Sequence, residues 1–398
     1  MQNARSCRMY LKAARLISLN SSRNLLPQRR HFTVLAFESS ADDTCAAVVT
    51  SDKRILSNVV IGQHNEQEEW GGIHPLVAVK SHQKNMPTAV RRALDEASLE
   101  MDDIDGIAFT RGPGMRSCLA VGADAAKNIA SVLRKPLVGV HHMQAHALTA
   151  MLTAKEPPQF PFLTLLVSGG HTMLLLALSP TSFHMLATTG DISIGQAFDK
   201  ISRELNLSWS VDENSAPIGA GPMLELVAST YDQHSIQSRP TFPTPTPGML
   251  SFSYGGLVSA VQRHIASAGS IETDPGAKAA IAYAFQEAAV LQLEKKIALA
   301  LRMCQQHGVQ VSTLVASGGV ASNKFLRNRL EAFLSKNSIR VEYPPISLCT
   351  DNAVMIAWAS MDRFLKGDTD SYNIDLRPKW PLESLRGADE PHLFAKGP

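Results

Sequence analysis

The sequence predicts an α/β protein of two lobes, each a mostly parallel sheet covered by helices. Three observations carry that reading. Short apolar, partly β-branched runs alternate with stretches of helical period; many of the runs end in Gly- or Pro-rich turns; and one strand–turn–strand unit occurs twice. At 398 residues, 44% hydrophobic and 19% charged, the chain is long enough for two or three cores. That balance excludes disordered, collagen-like and disulfide-stapled chains. The best candidate for a membrane span, residues 162–178, is broken by Ser168-Gly169-Gly170-His171.

Residues 1–31 hold seven Lys or Arg and no acid, the pattern of a mitochondrial transit peptide; the alternative is a disordered basic arm that binds nucleic acid, and the spacing of the basic residues along the segment favours targeting. Leu11, Ala14, Arg15 and Ser18 fit an amphipathic helix there, and Arg30-His31-Phe32 marks its approximate end. Without this segment the net charge of +2 becomes −5, so nucleic-acid contact would have to use local basic patches. Residues 34–37 and 46–50 read as strands around the polar turn Glu38-Ser39-Ser40-Ala41-Asp42-Asp43-Thr44. Met86, Ala89, Val90, Ala93, Leu94 and Ala97 recur at helical spacing, with Pro87 near the helix start. A strand over 104–110 ends at Gly112-Pro113-Gly114, a helix runs to about Leu133, and 137–140 is a strand. The second hairpin covers 162–167 and 172–178 and hints at duplication. Residues 208–221 and the Pro-rich run 239–248 read as loops. A long helix over 279–306 stops at Gly308, the strand 313–316 meets Ser317-Gly318-Gly319, and a helix starts near Ser322. The strand 340–343 precedes a helix opened by Asp351 and ending near Gly367.

Five cysteines, at 7, 45, 118, 304 and 349, form no CxxC pair, which points to a reducing compartment and away from a thiolate zinc site. The strongest chemical signal is His141-His142-Met143-Gln144-Ala145-His146. His142 and His146 share one face of a helix and can converge on one divalent ion, whereas His141 points about 100° away. The bland reading is a pair of capping or core histidines. Asp351 is the natural third ligand, its ordinary alternative being a helix N-cap. The turns Gly112-Pro113-Gly114, Ser168-Gly169-Gly170 and Ser317-Gly318-Gly319 each follow a strand and suit a phosphate, though none matches a P-loop or a dinucleotide fingerprint. Asp42 and Asp43 could hold a metal or its water or orient a nucleophile, or could be a solvated turn; Asp199 is a polar residue in an apolar setting.

Taken in order, ESSADDT, TRGPG, VHHMQAH, LLVSGGHT, GQAFDK, SGGVASN, CTDNAVMIAW and RPKWPL resemble the bacterial and mitochondrial branch of the tRNA threonylcarbamoyladenosine synthases, over residues 34–381. The family was formerly described as O-sialoglycoprotein endopeptidases. The resemblance implies the two-lobed fold of the actin, sugar kinase and heat-shock ATPase superfamily around a nucleotide cleft. It divides the chain into a transit peptide (1–31), an N-terminal lobe (32–150), a C-terminal lobe with a helical insertion (151–381) and a tail (382–398). It implies transfer of a threonylcarbamoyl group from threonylcarbamoyl-AMP to adenosine 37 of tRNAs reading codons that start with A. By motif, His142, His146 and Asp351 hold one divalent metal, iron or zinc. Leu166, Val167, Ser168, Gly169, Gly170, Asp199, Gly221 and Asn323 line the adenylate site, and Asp42 is the carboxylate beside the reacting group. The implied partners are tRNA, a separate synthase that makes the adenylate, and a second copy of the chain, with no membrane, in the mitochondrial matrix.

The chain departs from the family pattern at Ala41, where Cys is usual, at Leu76 and Lys80 in the segment after Gly72, and at Val258, where Lys is usual. Competing readings are an ATP-dependent small-molecule kinase on the same fold and a non-catalytic nucleotide-binding partner. A metalloprotease lacks HExxH. Lys80, Lys84, Arg91, Arg92, Lys324, Arg327, Arg329, Arg377 and Lys379 are candidate RNA contacts or plain solvated surface.

Overall fold

The computed structural model describes residues 31–63, 73–207, 219–232, 239–268 and 274–385. The transit-peptide expectation for residues 1–31, apart from His31, lies outside them, as do 208–218 and most of the tail.

Strands β1 (Thr33–Glu38), β2 (Thr44–Thr50) and β3 (Ile55–Ile61) form an antiparallel meander. Helix α1 (Pro75–Ala97) leads to β4 (Gly106–Gly112), and α2 (Arg116–Leu133) to β5 (Leu137–His141). Both of these strands are parallel to β1, giving the order β3-β2-β1-β4-β5. After α3 (His142–Thr153) the pattern repeats. The strands β6 (Phe162–Val167), β7 (Thr172–Ala177) and β8 (Phe183–Thr188) form a second meander. Helices α4 (Ile194–Glu204), α5 (Ala220–Ser229), α6 (Gly255–Ser267) and α7 (Pro275–Gln306) then lead to β9 (Thr313–Ser317). Next come α8 (Lys324–Ser335), β10 (Arg340–Glu342) and α9 (Ala353–Leu365). The second sheet, β8-β7-β6-β9-β10, has the topology of the first. The duplication hinted at by the two hairpins is therefore complete at the level of both sheets.

Alternation along each strand sends side chains to two cores. Leu35 and Phe37 pack with Met86, Ala89 and Ala93 of α1 and Ala123 and Ala126 of α2. Val34 and Ala36 face the other way, into a core shared with Phe162 and Leu166 of the second sheet and filled by α3 and α9. Leu163, Leu165 and Val167 meet α4 to α8 on the far side. Five layers result, helices–sheet–helices–sheet–helices, and α3 and α9 lie in the middle. Both are buried on nearly every side: Ala353 to Ala357 are all fully covered. Each large apolar side chain so placed contributes about 1.5–3 kcal/mol. Among the described residues no helix is long and apolar enough to cross a membrane.

Three expectations are corrected. The first helix begins at Pro75, so Pro87 lies inside it. The missing N–H of Pro87 faces solvent, beside the exposed Gln83, so the lost bond is tolerated. The early part was hidden because its buried stripe runs through Ala78 and the polar His82. Of the loop expected over 208–221, the described residues already form helix: Gly219 caps α5 and Gly221 stands in its first turn. Asp351 does not cap the last helix; Asn352 does, its side-chain oxygen accepting the Met355 N–H at 2.9 Å. That leaves the Asp351 carboxylate available elsewhere.

The ends of β6 and β9, neighbouring strands of the second sheet, meet at Gly318, whose φ of +101° is a glycine conformation. A Cβ there would stand 2.2 Å from the Val167 carbonyl oxygen. Gly318→Ala is expected to cost about 2–4 kcal/mol, read as a lower midpoint in chemical denaturation.

Candidate metal centre

Glu38 ends β1, His141 ends β5, and the chain turns at once into α3, so the carboxyl ends of parallel strands carry the site. His141 caps α3, its Nδ1 accepting the Met143 N–H at 3.1 Å while Nε2–H donates to the Trp380 carbonyl at 2.9 Å. It therefore takes no part in the centre, as its position along the helix requires. His142 and His146, one turn apart, stack edge to face with ring centroids 4.7 Å apart. Asp351 enters from the loop before α9: its Oδ1 lies 3.0 Å from His146 Nε2 and 3.4 Å from His142 Nε2.

These three donors fit a metal ion. Two ligands each about 2.0–2.2 Å from one ion, at about 90–110°, lie about 3.0–3.5 Å apart, the separations found here. The two histidines are almost wholly covered, and the buried Nδ1 of His146 has no hydrogen-bond partner. Charge agrees with geometry. Burial works against an imidazolium at His142, but Asp351 and Glu38 outweigh it and lift its pKa to about 10. Asp351, which burial alone would raise, is pulled well below the usual carboxylate range by His142 and His146. Two carboxylates and one imidazolium leave a buried negative charge, which a divalent ion in place of the proton brings to zero.

Glu38 is a member of the cluster that motif reasoning does not single out. It is fully buried, and its Oε2 lies 3.0 Å from His142 Nδ1. Thr110 Oγ1 and the Ser40 N–H also donate to it. Burial raises its pKa, yet the charge and hydrogen bond of His142 hold it net below the usual value. The bond fixes Nδ1 as the protonated nitrogen and leaves Nε2 as the ligand atom. His82 was missed too. Its Nε2–H donates to the Ala41 carbonyl at 3.1 Å and its Nδ1 accepts from Thr44 Oγ1 at 2.8 Å, clamping the turn that carries Asp42 and Asp43. Asp43 is pushed up to about 7 by burial, then by Asp42, Asp351 and Glu38. Asp42 stands beside it at the turn's tip. His171, lowered to about 4 by burial and then by His142 and His146, is the neutral group facing the cluster from the second sheet.

The predicted adenylate residues gather at that same end of the second sheet. Ser168 Oγ accepts the N–H of His171 at 3.0 Å and of Gly170 at 3.3 Å. A Cβ added at Gly169 or Gly170 would touch nothing within 4 Å, so the loop opens onto free space. Leu166 and Val167 have core side chains and offer only backbone. The Gly221 N–H bonds the Asp199 carboxylate, whose pKa burial raises. The Asn323 side chain is engaged within the protein, capping α8 through the Leu326 N–H (2.8 Å) and donating to Gln286 (2.9 Å). Val258 lies in the outer core of the second sheet beside Leu257, where an apolar side chain fits.

The Asp43 shift gives a pH test on chelator-treated protein. Its folded pKa of about 7 lies above the ordinary 3.8, so its destabilising contribution is absent below about pH 4 and complete above about pH 7. Asp43→Asn should melt higher than the parent at pH 8, with the gap narrowing at pH 5; a pH-independent gap would contradict the assignment.

A sequence profile of tRNA N6-adenosine threonylcarbamoyltransferase matches residues 54–358. A probable mitochondrial tRNA N6-adenosine threonylcarbamoyltransferase of Arabidopsis thaliana is 37% identical over 409 aligned positions, covering 98% of this chain and 83% of the relative. A tRNA N6-adenosine threonylcarbamoyltransferase of Sphingopyxis alaskensis is 38% identical over 361, covering 89% and 98%. Among solved structures, HypF of T. kodakarensis superposes with a TM-score of 0.56 at 16% identity, over 85% of this chain and 49% of that one, a likeness of fold alone. With a profile across most of its length and relatives alike nearly end to end, the chain belongs to the tRNA N6-adenosine threonylcarbamoyltransferase family.

Proposed function

We propose that the protein transfers a threonylcarbamoyl group from threonylcarbamoyl-AMP to the exocyclic amine of adenosine 37 in tRNAs that read codons starting with A. The observation that carries this reading is the donor set His142, His146 and Asp351 beside an open glycine turn, in a chain of this family. A small-molecule kinase on the same fold has no use for a buried pair of histidines aimed at one carboxylate.

The reaction needs no covalent enzyme intermediate. The amine nitrogen attacks the carbonyl carbon, the C–N bond forms as the C–O bond to phosphate breaks, and AMP leaves with the electron pair. A divalent ion, iron or zinc, held by His142, His146 and Asp351 would offset charge on the departing phosphate. Glu38 holds the His142 ring at Nδ1 so that Nε2 faces inward. The amine's proton goes to the Asp42 carboxylate, beside which Asp43 is pushed up to about 7 by burial and by the charge of Asp42. His82 fixes the height of that turn. Gly169 and Gly170 let the adenylate approach the backbone, and Asp199 and Gly221 close the site from α4 and α5.

The same reading places the protein in the mitochondrial matrix, after removal of a segment near residues 1–31, and supplies it with adenylate from a separate synthase. It divides the mature chain at about residue 150 into two lobes. It also makes the protein a homodimer. The apolar groove between α1 and α2, lined by Met86, Val90, Leu94, Val121 and Ile129, with Val132 four-fifths exposed beside it, supports that last inference.

Purified protein starting near Phe32, loaded with metal and given threonylcarbamoyl-AMP and an unmodified tRNA, should yield threonylcarbamoyladenosine by mass spectrometry. The His142→Ala, His146→Ala double variant should reduce the yield at least about 1000-fold. Folded, metal-loaded parent that makes none would overturn the proposal.

A further inference from the structure

The Arg111–Gly114 turn after β4 is bound to a strap that crosses it. The Arg377 N–H bonds the Arg111 carbonyl at 2.9 Å, and the Gly114 N–H bonds the Pro378 carbonyl at 3.1 Å. The guanidinium carbons of Arg111 and Arg377 lie 5.3 and 5.0 Å from the Trp380 ring centroid. The indole is nearly buried, leans on His141 at 4.9 Å, and keeps a buried Nε1 with no partner. His141 directly precedes the metal-binding His142, so this cluster lies at the rim of the centre.

Two cations sharing one aromatic ring repel each other, and carboxylates usually intervene. Here the nearby ones bind other arginines, and act on Arg111 only through space, while the Asp375 backbone carbonyl accepts the Arg111 Nε–H at 2.7 Å. Asp370 and Asp368 bind Arg363 at 2.7–3.1 Å, and Asp375 faces Arg116 at 3.5 Å. Arg111 is accordingly lowered in pKa, first by burial and then by Arg377. Other basic residues of the surface differ: Arg91 pairs with Asp95, Arg92 with Glu96, and Arg329 with Glu294. Arg377 and Lys379 are exposed, and the Arg377 guanidinium lies over the indole. Guanidiniums prepaid with an aromatic platform and lacking a carboxylate suit phosphate oxygens.

We propose that Arg111 and Arg377, set on Trp380, form with the exposed, neighbouring Lys379 a phosphate-binding site at the rim of the metal centre that takes phosphodiesters of the polynucleotide substrate. The proposal rests on the tRNA-modifying reading above. It predicts an electrostatic contact that orients RNA without reading its bases. The phosphate of an adenylate is the other possible source, and the test separates the two.

Binding of an unmodified tRNA transcript and of AMP would be measured between about 50 and 200 mM salt. In the Arg377→Ala, Lys379→Ala variant the tRNA Kd should rise about tenfold, and the log–log salt slope should shrink by about 1–2. AMP affinity should not change. Arg377→Lys should restore most of the slope, and Arg91→Ala, Arg92→Ala should leave both readings at the parent's values. Thermal melts confirm that each variant folds. Unchanged tRNA affinity and slope would overturn the site, and so would a loss confined to AMP, which would assign the cluster to the adenylate. A parent that binds tRNA with no salt dependence would also overturn the site, whereas a folded parent that binds no tRNA would contradict the tRNA-modifying reading itself.

Discussion

Between the two sheets of this protein, with almost no access to water, the carboxylate of Glu38 accepts a hydrogen bond from the imidazole of His142. A fully buried carboxylate is costly unless every lone pair is used, and Glu38 uses its own on Thr110, Ser40 and His142. Its position is fixed by register: it is the last residue of β1, opposite Cys45 on β2 and beside β4, which carries Thr110. The strand therefore aims the carboxylate, the carboxylate aims the imidazole, and the imidazole presents Nε2 to Asp351. Each step depends on the one before it. A shift of one residue in β1 would turn Glu38 to the opposite face.

The five-layer arrangement explains how such a group is kept dry. α3 delivers both histidines from the central layer, and α9 follows directly on Asp351 in the same layer. Both helices are wrapped in apolar contacts from two sheets, so ligand positions inherit the rigidity of the core. The glycine turns work on the other side. They follow β6 and β9 at the ends of the second sheet, where Gly318 permits a backbone approach no other residue allows and Gly169 and Gly170 leave space. Donors held by the core thus stand beside an open glycine turn, as the proposed handling of a mixed anhydride and a much larger second substrate requires.

The alternation of strands and helices, the repeated hairpin and the HxxxH pair were legible because they depend on local period and spacing. His142, His146 and Asp351 do converge, although 205 residues separate the latter two. Period could not reveal Glu38, which reads as the polar end of a strand, or His82, which interrupts an otherwise apolar stripe. Both act through partners 38 or more positions away. Asp351 was read as a possible cap because helix starts favour Asp; the neighbouring Asn352 took that role and freed the carboxylate. Sequence does not tell which basic residues meet a carboxylate, since Arg329 finds Glu294 on another helix and Arg377 lies over Trp380.

The chain of positioning from Glu38 to the donor atoms is tested most directly by metal affinity. Competitive chelator titration of the parent and Glu38→Gln, at matched thermal stability, isolates the hydrogen-bonded charge behind His142 from the donors themselves. The account predicts that Glu38→Gln retains the fold and binds metal about 10–100-fold more weakly. Equal affinity in the two proteins would contradict it.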